Sequence, residues 1–276
     1  MGHIGRLLTW ADCGVPATDP ASSRLRPYAT QFQNLHTQLL HQPDVFRKKI
    51  SGKFMKGIGV EIGALHRPYP QSDSCKILRV DLYGKEKLVR IHPEISAETI
   101  MSPDIIADGE NFSIFRDCSL DFVVASHVVE HLRNPIGAVN SWARSLKNGG
   151  YLILVVPHKN FTLDRDRPVT AISHLVDDAE QSSNERDFSH YLEYAALVEK
   201  KTGGGIEIEA RRLWDSRYSI HMHVFDDPSW HAFLSILRGR FKVPLTVVEC
   251  LDLGKEQGEI IAIVKKESFT LKPSAS

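Results

Sequence analysis

Short apolar runs separated by polar segments dominate the middle of the chain. They lie at residues 58–62, 77–81, 104–107, 120–126 and 151–156. Their high content of Ile, Val and Leu is typical of strands that are buried on both faces of a parallel sheet. Two further runs, 245–252 and 259–265, flank a glycine-bounded connection and predict a hairpin. The pattern therefore predicts an α/β sheet that is completed by a carboxyl-terminal antiparallel hairpin.

The clearest helix signal lies between the fourth and fifth runs. Asn134 can cap a helix there, and Pro135 suits its first turn. Asn148-Gly149-Gly150 is expected to end the helix. Strand, helix and strand in this order predict a right-handed crossover. The apolar residues that share one face of this helix are Ile136, Val139, Ala143 and Leu146.

Changes in the pattern mark the expected segments of the chain. Near the amino terminus, apolar residues recur at helical spacing from Tyr28 to Leu39, until Pro43 interrupts them. After the fifth strand the chain becomes polar, rich in His, Asp and Arg, and contains Gly203-Gly204-Gly205, which predicts a lid-like insertion. The expected segments are an amino-terminal leader and helix (1–50), a ligand-binding core (51–157), an insertion that forms an acceptor lid (158–232) and a completion of the sheet (233–276).

Composition narrows the class of partner. The chain has 276 residues, of which 42% are hydrophobic, enough for a sizeable core. Lys+Arg 34 and Asp+Glu 34 balance to a net charge of +0, which disfavours a nucleic-acid partner. No run has the length of a membrane span or of a secretory signal, so no membrane partner is expected. Scattered cysteines argue against a structural zinc site and a disulfide framework and indicate a cytoplasmic protein; they are Cys13, Cys75, Cys118 and Cys250.

Acidic residues end two neighbouring strands. Glu61 and Gly63 close the first apolar run, and Asp81 ends the second. Carboxylates at these positions suit a ligand that carries amino and hydroxyl groups, as S-adenosylmethionine does. A dinucleotide is the competing ligand, but it requires a third glycine and a helix amino terminus for its pyrophosphate. His66-Arg67-Pro68 and Pro70 stand in their place.

Five motifs in a fixed order give the chain a family resemblance. They are Val60-Glu61-Ile62-Gly63-Ala64, Val80-Asp81, Ala107-Asp108-Gly109-Glu110-Asn111, Ser119-Leu120-Asp121-Phe122-Val123-Val124-Ala125-Ser126-His127-Val128-Val129-Glu130-His131-Leu132 and Leu146-Lys147-Asn148-Gly149-Gly150. On these motifs the chain resembles the class I S-adenosylmethionine-dependent methyltransferases, and among them the methyltransferase type 11 group, whose bacterial members are associated with surface-glycan and secondary-metabolite pathways. The resemblance implies a Rossmann-like, doubly wound, seven-stranded, mostly parallel sheet, with S-adenosyl-L-methionine across the carboxyl edges of its first strands.

The resemblance also implies which residues bind the cofactor. Glu61 and the turn after it would hold the methionine part, and Asp81 would accept hydrogen bonds from the ribose hydroxyls. Asp108 would meet the adenine amino group, beside the open backbone of Gly109. From the residues alone, Asp81 could also be a solvated strand end and Asp108 a turn residue. The implied cofactor-binding set is Glu61, Gly63, Ala64, Asp81, Asp108, Gly109, Ser126 and His127.

The stretch from His127 to His131 starts where the fourth strand ends, near the expected position of the methyl group. If it opens a helix, His127, Glu130 and His131 project from one side. His127 or His131 could take a proton from a hydroxyl acceptor, because imidazole titrates near neutrality. The stretch could instead bind a divalent metal that activates the hydroxyl, or Glu130 and His131 could only hold neighbouring loops.

The insertion is expected to supply the acceptor side of the site. Asp166, just after the fifth strand, and His221 join His127 and His131 as predicted catalytic residues. If the segment around His221 is a strand, His223 lies on the same face, and the two imidazoles could bind metal or line a pocket. Such a pair is more often structural, so no metal ligand is assigned.

Three aromatic residues of the insertion have two competing interpretations. Trp214, Tyr218 and Trp230 could stack on a sugar or aromatic acceptor, or they could form a small core of the insertion. The second interpretation is favoured.

The sequence therefore predicts an S-adenosylmethionine-dependent methyltransferase. Its expected acceptor is a small molecule or glycan, modified on a hydroxyl of a sugar or secondary metabolite, and His127 is the first candidate for the base. The alternatives are a nicotinamide-dependent oxidoreductase and a non-catalytic module that binds S-adenosylmethionine without turnover.

Overall fold

The computed structural model describes residues 43–181 and 184–267, with side chains from Phe46 onward. Cys13, the predicted leader and the helix expected between Tyr28 and Leu39 lie outside the described residues. None of the helices within these ranges is long and apolar enough to cross a membrane.

Seven strands form one sheet in the order β3-β2-β1-β4-β5-β7-β6. The first five are parallel, and β7 runs antiparallel between β5 and β6. The predicted Rossmann-like fold and its terminal hairpin are thus confirmed. The strands are β1 (Gly57–Ile62), β2 (Cys75–Asp81), β3 (Ile105–Ile106), β4 (Leu120–Ser126), β5 (Leu146–Pro157), β6 (Leu245–Leu253) and β7 (Glu259–Lys266).

Helices cover both faces of the sheet. On one face, Phe54 packs with Phe122 and Ile153, and on the other, Trp142 and Phe233 join the larger core. The helices are α1 (Pro43–Phe54), α2 (Lys85–Ile91), α3 (Pro135–Ser145), α4 (Ile172–Glu180), α5 (Asn184–Leu197), α6 (Gly204–Asp215), α7 (Asp227–Gly239) and α8 (Gly254–Gln257), with single 3₁₀ turns at Phe112–Ile114, Val129–His131 and Lys159–Phe161.

Helix α3 begins as the sequence predicts but ends earlier. The Asn134 side chain accepts a hydrogen bond from the Gly137 amide at 2.7 Å, which caps the first turn. The helix ends at Ser145, and Leu146 already pairs with Leu120 of β4. The prediction that the helix runs to residues 148–150 was wrong, because the glycines there serve the strand. A Cβ on Gly150 would lie 2.8 Å from the Asp121 carbonyl oxygen.

The polar segment between β5 and β6 is helical, and it contains α4 to α7. It has a small core of its own, made by Tyr194, Leu213, Ile220 and Met222. Helix α7 continues across residues 232 and 233, where the end of the insertion was expected; the division into segments stays a prediction. Helix α7 packs against the main core, where its Trp230 side chain is fully buried.

Candidate active site

Glu61, the last residue but one of β1, carries a buried carboxyl group whose hydrogen bonding is only partly satisfied. The side chain is 1% exposed, and its Oε1 accepts a hydrogen bond from the Tyr69 amide at 2.7 Å. Among the described residues, Oε2 has no hydrogen-bond partner; the nearest charge is Arg79 Nε at 3.7 Å. Burial raises the pKa of Glu61 to about 7, against the opposing pull of the Tyr69 amide and Arg79. A cationic ligand group would stabilise this carboxylate.

The turn after Glu61 gives a ligand access to the backbone. Gly63 adopts φ +63°, and its amide donates to the Val80 carbonyl at 2.9 Å. A Cβ there would also approach Val128 Cγ2 to 3.2 Å, so the turn needs glycine. Ala64 follows and is half-buried, and residues 63–74 form a loop without a helix. Pro68 and Pro70 predict that loop, and it lacks the helix terminus that a pyrophosphate would use.

The two acids predicted to hold the nucleoside lie in different environments. Asp81, at the end of β2, is half-buried, and burial raises its pKa although the Tyr83 amide hydrogen-bonds to it at 3.3 Å. Asp108 is exposed, and its side chain accepts from the Glu110 amide at 2.9 Å, which closes a turn. Gly109 packs so closely on Ile62 that a Cβ would lie 2.9 Å from Cγ2. The ribose and adenine roles of these residues stay predictions.

Replacing Asp81 with asparagine is expected to weaken S-adenosylhomocysteine binding about 10- to 150-fold. The loss of charge-assisted hydrogen bonds to the ribose costs about 1.5–3 kcal/mol. Calorimetry on the purified variant measures the change. Asp73→Asn is the matched control, because Asp73 is exposed and precedes β2 at its opposite end. If Asp81→Asn binds as tightly as the control, Asp81 does not hold the ribose.

His127 lies at the end of β4, with φ +55°. Its Nε2 is 2.9 Å from Glu259 Oε1, and its Nδ1 is 3.4 Å from Glu130 Oε1. Burial alone would lower the pKa of His127, but the hydrogen bonds and charges of the two glutamates raise it to about 9. His127 is therefore a cation at neutral pH. This pKa lies above the range near neutrality that the predicted role of base assumes, and the sequence does not reveal Glu259 as a partner.

Arg47 and Glu259 join this group, and both were missed in the sequence. Arg47 of α1 is 4% exposed, and its Nη2 lies 3.6 Å from Glu259 Oε1 and 3.4 Å from Ser126 Oγ. Burial alone would raise the pKa of Glu259, but His127 and Arg47 lower it. The group connects α1, β4 and the start of β7. The local sequence signal for Glu259 is its position: it is an acid at the start of β7, directly before a run of apolar residues.

The stretch after His127 forms a single 3₁₀ turn, Val129–His131, so the condition of a helix that opens at His127 is not met. Glu130 is fully buried, and its backbone carbonyl accepts from the amides of Met222 and His223 at 2.7 and 3.0 Å. His131 Nδ1 lies 2.9 Å from the Ile220 carbonyl, which can only accept, so Nδ1 carries the proton. Burial lowers the pKa of His131, which leaves a neutral ring with a basic Nε2.

His221 forms an oriented pair with a buried acid. Its Nδ1 lies 2.6 Å from Asp164 Oδ2, and the Asp164 side chain is 1% exposed. Arg167 donates to Asp164 Oδ1 at 2.8 Å and to the His221 carbonyl at 2.7 Å, so it fixes both members. A carboxylate only accepts, so Nδ1 donates to Asp164, and Nε2 is the ring nitrogen that can act as a base. The ring centroid of His131 is 4.8 Å away.

Asp166 does not join the pair. It is exposed, and its Oδ2 lies 2.5 Å from Lys200 Nζ. Asp164, two residues earlier, takes the inward position because Arg167 holds it. The structure therefore brings Asp164, and not Asp166, to His221. The Asp-Arg-Asp-Arg spacing does not show which acid faces inward.

His221 and His223 do not share a face. Residues 219–223 are not a strand, so their side chains do not alternate in the expected way. His221 lies with Glu130 and His131, whose candidate ligand atoms fall within 4.8 Å of one another, whereas His223 belongs to another cluster. The same-face prediction was therefore wrong.

Two of the three aromatic residues singled out in the insertion, Trp214 and Trp230, pack against other rings. Trp230 is fully buried, with Phe225 and Phe233 against its ring. Trp214 packs on neighbouring aromatic rings of α5. Tyr218 is 48% exposed. The core interpretation holds for Trp230, although its core is the main one.

Comparison with a known family agrees with the fold. Residues 58–154, from β1 into β5, match the family model described as a methyltransferase domain. Together with the sheet order, this match shows a class I S-adenosylmethionine-dependent methyltransferase domain in this part of the chain. The protein is an enzyme of that class, and S-adenosyl-L-methionine is its cofactor. No curated protein matches the chain in sequence.

Solved structures resemble the chain only distantly. A Thermotoga maritima S-adenosylmethionine-dependent methyltransferase is 16% identical over 88% of this chain and 98% of its own, with a TM-score of 0.46. A Methanococcus maripaludis protein provisionally named as such a methyltransferase is 16% identical over 88% and 94%, with a TM-score of 0.45. A Rhodobacter sphaeroides protein provisionally named among Zn-dependent alcohol dehydrogenases is 14% identical over 80% and 89%, with a TM-score of 0.47. No functional conclusion follows from likenesses this weak.

Proposed function

We propose that this methyltransferase modifies a hydroxyl group of a small polar acceptor, such as a sugar or a secondary metabolite, and that His221 is the general base. One observation carries the proposal: His221 Nδ1 is bound to the buried Asp164 at 2.6 Å, which leaves Nε2 as a proton acceptor. Imidazole oriented by a buried carboxylate is a recurrent arrangement for removing a hydroxyl proton.

His221, Asp164 and Arg167 have different roles in the proposed methyl transfer. When bound, S-adenosyl-L-methionine supplies an electrophilic methyl group. His221 Nε2 takes the proton of the acceptor hydroxyl as its oxygen becomes the nucleophile, and Asp164 stabilises the imidazolium that results. Arg167 holds the Asp164 side chain and the His221 backbone in place, because it donates a hydrogen bond to each. Residues 158–232 thus supply the acceptor side of the site.

A hydroxyl acceptor explains this arrangement better than an amine. A neutral amine is already nucleophilic, whereas a hydroxyl oxygen becomes a strong nucleophile only as its proton leaves. The surrounding polar groups, with Glu130 and the neutral ring of His131, favour an acceptor that carries several hydroxyl groups. Balanced charge supports a small molecule or glycan over nucleic acid, and the free cysteines of the described residues support a cytoplasmic location.

The test is methyl transfer to matched acceptors. The enzyme is incubated with labelled S-adenosylmethionine and panels of sugars, polyols and phenols, each paired with the amine analogue of the same skeleton. Methyl ethers are the expected products. Transfer to the amines alone would contradict the hydroxyl assignment. Tight binding of S-adenosylhomocysteine without transfer to any acceptor would instead support a non-catalytic binding module.

A further inference from the structure

Four side chains of the insertion converge away from the proposed base. His174 and Asp178 lie one turn apart on α4, His190 lies on α5, and His223 lies on the segment before α7. One nitrogen or oxygen atom of each falls within 4.8 Å of the others. His174 Nε2 is 3.1 Å from His190 Nε2 and 3.2 Å from Asp178 Oδ2, and His223 Nε2 is 3.9 Å from the same oxygen.

Several of these polar atoms are buried without a conventional partner. His223 is fully buried, Asp178 is 3% exposed and His190 is 7% exposed. Within the described ranges, Asp178 Oδ2 and both ring nitrogens of His223 make no hydrogen bond of normal geometry. Buried polar groups are nearly always satisfied, so such a concentration points to an additional bound partner. Arg186 holds Asp178 Oδ1 at 3.0 Å, which turns Oδ2 towards the histidines.

The ring nitrogens of His223, which make no hydrogen bond within the described residues, are available as metal ligands. The neutral imidazole is the form that binds metal.

We propose that His174, Asp178, His190 and His223 bind one Zn²⁺ ion. Three imidazoles and one carboxylate are ligands that zinc accepts in tetrahedral sites, whereas Mg²⁺ and Ca²⁺ prefer oxygen ligands. Zinc-to-ligand bonds of ~2.0–2.1 Å place tetrahedral ligands ~3.3 Å apart. The distances of 3.1, 3.2 and 3.9 Å lie close to that spacing.

A bound zinc ion would cross-link separate elements of the insertion, which supplies the acceptor side of the proposed site. It would connect α4 and α5 to the segment that carries His221, two residues before His223. The amide of His223 also donates to the Glu130 carbonyl, so this segment is bound to the end of β4 as well. Two of the four side chains, His174 and His190, also line a cavity of about 190 Å³. The scattered cysteines speak only against a zinc site with cysteine ligands, whereas this site consists of three histidines and one aspartate.

Metal titration of the full chain tests the proposal. The protein is stripped with a chelator, desalted and titrated with zinc chloride in a calorimeter. We expect one equivalent to bind, and cobalt chloride to give the visible absorption of a four-coordinate ion. Asp178→Asn and His190→Gln are expected to weaken zinc binding at least tenfold. His92→Ala, outside the cluster, is the control and should bind one equivalent as tightly as the wild type.

The outcomes separate this site from the proposed function, because neither titration uses cofactor or acceptor. Substoichiometric zinc binding to folded wild-type protein would overturn the proposal, as would undiminished affinity in Asp178→Asn and His190→Gln. If the variants do not fold, the wild-type cobalt spectrum decides: four-coordinate absorption supports the site, and a six-coordinate spectrum overturns it.

Discussion

Replacing Glu61 with glutamine is expected to weaken cofactor binding at least tenfold and yet to stabilise the free protein at pH 8. The carboxyl group is 1% exposed, it accepts one hydrogen bond from the Tyr69 amide, and its pKa is raised to about 7. An ionised carboxylate at this position therefore costs folding free energy, and a cationic group of the cofactor is expected to offset this cost. Glutamine keeps the shape of the side chain and removes the charge.

The sign of the stability change follows from the direction of the pKa shift. The folded pKa of Glu61 lies above its ordinary value of 4.5, so the stability that the protonated group contributes is complete below pH 4.5 and lost as the pH rises through about 7. The loss is on the order of 3 kcal/mol. The free energy of unfolding of Glu61→Gln should thus exceed that of the wild type at pH 8, and the difference should shrink towards pH 5. Denaturant titrations at both pH values measure it.

Cofactor binding should change in the opposite direction. The amide cannot make the charge-assisted hydrogen bond to the cofactor's amino group, which is worth about 1.5–3 kcal/mol. Wild-type affinity for S-adenosylhomocysteine should rise between pH 6 and 8 as Glu61 ionises, and the rise attributable to Glu61 should vanish in the variant. Glu98→Gln is the control, because Glu98 is exposed. If Glu61→Gln binds like this control, Glu61 only closes the loop through Tyr69.

The features that the sequence predicts well are those encoded locally. Strand β4 occupies residues 120–126 as expected, because a parallel strand buried on both faces is a continuous apolar run. Glu61 and Asp81 are found for the same reason, since each simply ends such a run. The sequence misplaces the end of α3 because a glycine can either end a helix or let a neighbouring strand approach closely. The contact of Gly150 with Asp121 shows that the second case applies here.

The features that the sequence does not predict depend on contacts between distant segments. His127 and Glu259 are separated by 132 positions, and their contact sets the charge of the imidazole. Asp164 and His221 are separated by 57 positions, and no periodicity connects them. Sequence spacing identifies the right segments and residue types here. Which side chains meet is decided by the packing of the insertion on the end of β4.

His221→Ala is expected to lower kcat about 100- to 10,000-fold with the true acceptor, while S-adenosylhomocysteine affinity stays near that of the wild type. A positioned base contributes about that much to rate, and His221 lies with Glu130 and His131 rather than among the strand-end acids. Methyl-transfer rates and calorimetry measure the two quantities. His231→Ala is the control, because the His231 side chain is 53% exposed on α7. Asp164→Asn should also lower kcat, since the amide cannot stabilise the imidazolium.

The pH profile of kcat/KM distinguishes His221 from His127, because it reports the groups of the free enzyme. The glutamates Glu130 and Glu259 hold the pKa of His127 at about 9, so a base at that position would make activity rise with a midpoint near pH 9. With His221 as the base, we expect no rise in activity with a midpoint near pH 9. We also expect His127→Ala to lose stability, because it leaves Glu130 buried without its cation. A midpoint near pH 9, with near-normal turnover in His221→Ala, would return the role of base to His127.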